Sequence, residues 1–406
     1  MMVVQPKGTQ QTLQKSFTIG GVGLHTGDYA FVTVKPAYAG QGRYFVRVPE
    51  GTNADNYSAP MPSFVTREQL DINYGAEDGL QPEERAQYFL KFMQEEDFDG
   101  GFGDYLREEG VEGVLKDDLL FEPVLDTTVE EPCTRQDGEE WVPANVHAAE
   151  VYGETTTLLK NGAFYVMSPE SILSALEACG VDNARIEIEG GSEVPVGDGS
   201  GLTWALEVQK VGIRDAPVAP GAASSSDRKA PAPKETISVM GDSGSFISFY
   251  PAEESMISVG VDYMQDAEVL GRQWFTWRTS DSSPQDEYTG HYRWKIAPAR
   301  RAYPSFEVVE ELFADGMIQA GPDGCCLIAD GDSWCDPNLV RFPTDEAARH
   351  ATQTLMGIMS LCASPGGRGL PLGHIVAFDP TPELQLEFAK AFSLQSKDYT
   401  EECVSD

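Results

Sequence analysis

Basic residues are scarce in this 406-residue chain: 29 Lys and Arg stand against 65 Asp and Glu, a formal net charge of -36. A surface of that sign repels phosphate backbones and anionic headgroups, which argues against nucleic acid and bare membrane as partners. Long apolar runs are missing as well, and none approaches the roughly 20 residues that span a bilayer. The opening residues, MMVVQPKGTQQTLQKS, hold neither an apolar signal core nor an Arg/Ser-rich presequence. If the protein is imported, they read as the mature form. Histidine is limited to five, and the seven cysteines form no C-x-x-C pair. That odd, unpaired set excludes a disulfide framework and a cysteine-rich zinc site. Several cysteines sit in apolar runs, as buried thiols of a reducing intracellular compartment do.

The chain is long enough for two domains with a sizeable core. YAFVTVKPA alternates as a strand does, and GRYFVRVP follows it after a short turn. Residues 52–141 change character and read as an insertion. They hold roughly a third of the carboxylates. They also hold a helix opened by Pro82, with Tyr88, Phe89, Phe92 and Met93 on one side as a candidate interaction face. ETTTLLKNGAFYVM predicts a hairpin turning at Asn161-Gly162. SPESILSALEACG predicts a helix with Ser168 as N-cap, Pro169 in the first position and Gly180 after the end. Residues 214–234, rich in Ala, Pro and Ser, read as a linker. Beyond it come three strands, a helix at SFEVVEELFADG and a strand at CCLIAD. The helix carrying His350, the strand HIVAFD and a last helix complete the pattern, before an acidic tail at 396–406. Two similar halves, 10–213 and 235–395, each with strands packed on helices, predict an α+β duplication.

GVGLHTG near the start and SPESILSALEACGVDNARIEIEGGSEVPVGDGSG in the middle resemble the UDP-3-O-acyl-N-acetylglucosamine deacetylases, zinc enzymes of lipid A synthesis. IAPARRAYPSFEVVEELFADG and LVRFPTDEAARHATQTLMGIM are similar to elements of that family's second domain. The resemblance implies metal-assisted amide hydrolysis. One zinc ligand is the histidine of a Glu-His pair opening the first-domain helix, and a His-x-x-x-Asp supplies two more. The glutamate takes a proton from the metal-bound water, and a later histidine protonates the amine. A lysine and a threonine steady the oxyanion.

At the matching positions, the Glu-His pair is Glu170-Ser171, and the His-x-x-x-Asp is His350 with Thr354. The lysine place is Ala351, the acid histidine falls at about Pro382, and the threonine near Arg301. Tight zinc sites bind with about 10–16 kcal/mol, so losing two ligands removes roughly 6–10 kcal/mol. The expectation is therefore a family member with no zinc and no catalysis, Glu170 and His350 being remnants. Glu170 then serves the helix macrodipole, and His25 steadies a turn. His147 and His374 are alternative ligands only if two had migrated together. The EVPVGDGSG loop reads as a tight closure of the first domain rather than a phosphate cradle. Such a protein is expected to serve as a structural or interaction subunit bound to a protein partner. The alternatives are a zinc amidohydrolase with a rearranged site, or a non-hydrolytic binder of acyl or sugar-nucleotide ligands. An organelle, plastid or mitochondrion, is the expected location, with the cytoplasm otherwise.

Overall fold

The computed structural model describes residues 8–53, 129–153, 155–221, 227–279, 289–319 and 325–402. The helix expected from Pro82, with Tyr88, Phe89, Phe92 and Met93, lies outside them. In the first half the strands are β1 Gln11–Leu13, β2 Phe17–Val22, β3 Tyr29–Pro36, β4 Arg43–Arg47, β5 Trp141–Pro143, β6 Ala149–Tyr152, β7 Thr156–Asn161, β8 Phe164–Met167, β9 Ala184–Gly190 and β10 Ile213–Asp215. Its helices are α1 Glu170–Ala178 and α2 Leu202–Val211. The second half supplies β11 Ile237–Met240, β12 Phe246–Pro251, β13 Ser255–Asp262, β14 Arg272–Arg278, β15 Arg301–Tyr303, β16 Cys326–Asp330, β17 Ser333–Trp334 and β18 Gly373–Phe378. Its helices are α3 Thr289–Lys295, α4 Phe306–Ala314, α5 Glu346–Ser360 and α6 Pro382–Glu402.

The duplication is visible in the sheet order. The first half has a five-stranded sheet, β2-β3-β9-β4-β5, and the second has β11-β12-β18-β13-β14. In both, the one parallel pair joins the third and fourth strands, β9 to β4 and β18 to β13. The fold is α+β, as the strand and helix rhythm predicts. Strand β14 shows why: RQWFTWR alternates exposed and buried along its length, one face to solvent and one to the core. A single apolar core runs from the first sheet (Val32, Ile186) through α1 (Leu173, Leu176) and α5 (Leu355, Met359) to the second sheet (Val259, Ile375).

Two contacts seat α1 against the second half. A Cβ on Gly357 of α5 would lie 2.4 Å from the carbonyl oxygen of Glu170, so only glycine lets the helices approach there. On α1, the buried Glu177 accepts hydrogen bonds from Arg43 (2.7 Å) and from the backbone amides of Gly369 and Leu370 in the second half. The expected linker leaves on β10, which pairs with β1, and at its other end Arg228 bonds Asp182 at 2.9 Å.

Ser168 departs from its expected role. Helix α1 is capped at Pro169, with no side-chain cap bond. Ser168 instead adopts a positive φ of 55° and gives its hydroxyl to Glu193 at 2.8 Å. A buried carboxylate is a stronger acceptor than an amide nitrogen is a donor, and it redirects the side chain.

Candidate functional site

The N-terminus of α1 and the middle of α5 meet at a cleft enclosing about 120 Å³ between the two halves. Glu170, Ser171, His350, Thr354, Arg301 and Pro382, far apart in the sequence, all line it. The juxtaposition follows from the Gly357 contact, which seats His350 and Thr354 across from the first turn of α1. His147 and His374 are elsewhere. His147 lies in a short 3-10 turn, and His374 stands on β18, bonded to Ser258 at 2.8 Å.

Each wall has its own chemistry. Glu170 accepts from the Thr157 amide at 2.8 Å and from the Thr156 hydroxyl at 3.3 Å, beside the positive end of α1. Thr354 gives its hydroxyl to the His350 carbonyl at 3.1 Å, a bond within its own helix. Arg301, at the start of β15, donates to the Thr155 carbonyl at 2.9 Å and lies 5.3 Å from the Tyr303 ring centre. Burial, reinforced by the Arg301 cation, pushes the His350 imidazole down to about 3, so the ring is neutral.

A zinc ion, as the resemblance implies, would meet at these positions one imidazole, two neutral hydroxyls and a neighbouring guanidinium. Zinc takes thiolate, imidazole and carboxylate ligands. Thr354 is already engaged with its own backbone, and a fixed cation beside His350 repels a second one. At the three matched positions the donors are one imidazole and two hydroxyls, where the resemblance implies two histidines and an aspartate.

Two residues of the EVPVGDGSG loop belong to networks that the sequence pattern did not reveal. Glu193, buried in the EVPVGDGSG loop, receives His25 Nδ1 at 2.6 Å, the Thr26 amide at 2.9 Å and the Ser168 hydroxyl. His25 thus steadies the GLHTG turn as expected, yet it also lines the cleft. Further along the loop, Asp198 pairs with Arg341 of the second half at 2.6 Å, and Arg300 donates to its carbonyl at 3.0 Å. The loop therefore clamps the two halves together rather than only closing the first. Tyr303 sits beneath the cleft in a small apolar cluster with Leu24, Val309, Ile318, Cys325 and Cys326.

The sequence profile of the UDP-3-O-acyl N-acetylglycosamine deacetylase family matches residues 10–74 and 132–393. The chain is 34% identical over 261 residues to a protein of Arabidopsis thaliana named probable UDP-3-O-acyl-N-acetylglucosamine deacetylase 1, mitochondrial. That match covers 63% of this chain and 76% of the relative. It is 32% identical to the UDP-3-O-acyl-N-acetylglucosamine deacetylase of Thermosynechococcus vestitus, over 64% of this chain and 80% of that one. Over 94% of its length it is 27% identical to the enzyme of the same name from Trichormus variabilis, covering 97% of it.

Proposed function

The chain belongs to the UDP-3-O-acyl-N-acetylglucosamine deacetylase family, and from that premise we propose that its cleft binds the family's kind of ligand, an acylated UDP-amino sugar, without metal-assisted hydrolysis. One observation carries the reading: at the zinc positions stand Ser171, His350 and Thr354, with Arg301 beside them. Glu170 keeps a place from which it could accept a proton. A carboxylate with no metal to acidify its water, however, lacks the driving force to attack an amide. The relatives are named for small-molecule chemistry, which weighs for a ligand-directed role over that of a structural subunit. The Arabidopsis name also supports an organelle, a mitochondrion among them, as the place of action. The test is calorimetric titration of the full chain with UDP-3-O-acyl-N-acetylglucosamine, alongside an assay for released amine with and without added zinc. Saturable binding with no amine above background is expected. No heat at millimolar ligand ends the proposal.

A second reading, hydrolysis by a rearranged zinc site, draws on the same relatives' names. Zinc-dependent amine release in that assay would establish it in place of the first. A protein partner is proposed from the sequence alone, on the aromatic side of the acidic insertion. Native mass of the protein from its source tests it, and a lone monomer would remove it.

A further inference from the structure

Two polar atoms of residues that line the cleft are buried without a hydrogen-bond partner among the described residues. They are the Tyr303 hydroxyl and His25 Nε2, and both residues are only 5% exposed. Native folds rarely leave such groups unmatched, because each unpaired buried donor or acceptor is costly. His25 is fixed by its bond from Nδ1 to Glu193, so Nε2 is on the opposite side of the ring. Both residues line the same cleft as Arg301, whose guanidinium forms no ion pair among the described residues.

We propose that the cleft floor is a receptor for a single carboxylate group, held by Arg301, the Tyr303 hydroxyl and His25 Nε2. The acylated UDP-amino sugar carries no carboxylate, so this goes beyond the reading above and shares with it only the claim that the cleft holds a ligand without a metal. The guanidinium fork matches two carboxylate oxygens and supplies the charge. Burial raises the Tyr303 phenol, which keeps its proton and donates it. His25 bonds Glu193 through Nδ1 and keeps Nε2, across the ring, for the ligand. Glu170 on the same cleft limits the charge admitted, since a phosphate dianion meets twice the repulsion that a carboxylate does.

Acetate is the probe. Calorimetry of the full chain at constant ionic strength should show one millimolar site for acetate and none for chloride, with inorganic phosphate binding at least about tenfold more weakly. Arg301→Gln should weaken acetate at least about tenfold, and Tyr303→Phe about fivefold. Tyr303→Phe should also raise the melting temperature of the ligand-free protein, because it deletes an unmatched hydroxyl; a hydroxyl that served the fold would lower it. The proposal is overturned by no acetate heat at 100 mM, by phosphate binding as well as acetate, or by acetate affinity indifferent to both substitutions. The sugar-nucleotide titration is separate. Acetate binding without UDP-sugar binding ends the former reading and keeps this one, and the reverse result does the opposite.

Discussion

Glu193 Oε1 lies 2.6 Å from His25 Nδ1, with both side chains buried, and the same carboxylate also receives the Thr26 amide and the Ser168 hydroxyl. With the His25 amide and the Thr26 hydroxyl, five groups converge on it and need an anion at their centre. Glu193→Gln keeps the shape but replaces one oxygen with an NH2 group that faces donors. A loss of about 2–4 kcal/mol in urea unfolding is expected. The imidazole nitrogen shifts of His25 should change with it. A change below about 0.5 kcal/mol would show that the carboxylate does not organise this wall.

Restoring the family's ligand types should restore the metal. In the unaltered chain, zinc should bind no tighter than about 0.1 mM, since one imidazole supplies only a fraction of a site's free energy. Ser171→His together with Thr354→Asp adds two ligands on the walls that Gly357 brings together. Competition against a coloured chelator should show zinc affinity raised at least a hundredfold. A tight stoichiometric zinc on the unaltered protein would contradict the donor-set argument.

Acid should separate the halves. Burial alone would raise Glu177, but Arg43 and Arg368 outweigh it and hold the carboxyl at about 2; Arg341 and Arg300 do the same for Asp198. Unfolded carboxylates titrate near 4, so both groups bind fewer protons folded than unfolded. Their stabilisation is complete above pH 4.5 and is lost as pH falls through about 4.5 to 2, roughly 2–3 kcal/mol each. His350 acts in the same direction over a higher window. Its folded value of about 3 lies below the unfolded one, so stability begins to fall below pH 6.5. Urea midpoints measured from pH 7 to pH 3 should decline throughout. Glu177→Gln should flatten the steep part below pH 4.5, and an unchanged slope would assign the acid sensitivity to other groups.

What could be read from the sequence was local. The Asn161-Gly162 turn, the alternation in β14 and the apolar stripe of α5 are set by near neighbours, and each appears in place. The family motifs also placed Glu170, Ser171, His350 and Thr354 on one cleft, because matched elements carry matched geometry. Ser168 was misread since a cap is judged from the helix that follows, whereas its partner Glu193 lies 25 residues on. Asp198 and Arg341 are 143 residues apart, and no periodicity reports such a pair. Tyr303, and the place of His25 on the cleft beyond its turn, escaped notice for a related reason: an unmatched polar atom exists only once the fold has enclosed it.

Gly199 is where the clamp and the cleft are joined. Its φ is +77°, and a Cβ there would stand 1.5 Å from the Cys325 carbonyl oxygen, backbone that cannot swing aside. Gly199→Ala must therefore move the loop that carries Asp198, or push away β16, which begins at Cys326. Gly331 separates this from the cost of the dihedral alone. Its φ is +63°, but nothing lies within 4 Å of an added Cβ. Gly331→Ala should cost about 1 kcal/mol, the usual penalty for a left-handed residue with a side chain. Gly199→Ala should cost at least about 3 kcal/mol in urea unfolding. Because Gly199 also lines the cleft, ligand affinity should fall with it, whereas Gly331→Ala leaves binding unchanged. Equal destabilisation by the two substitutions would mean that the loop rests on Cys325 without depending on it.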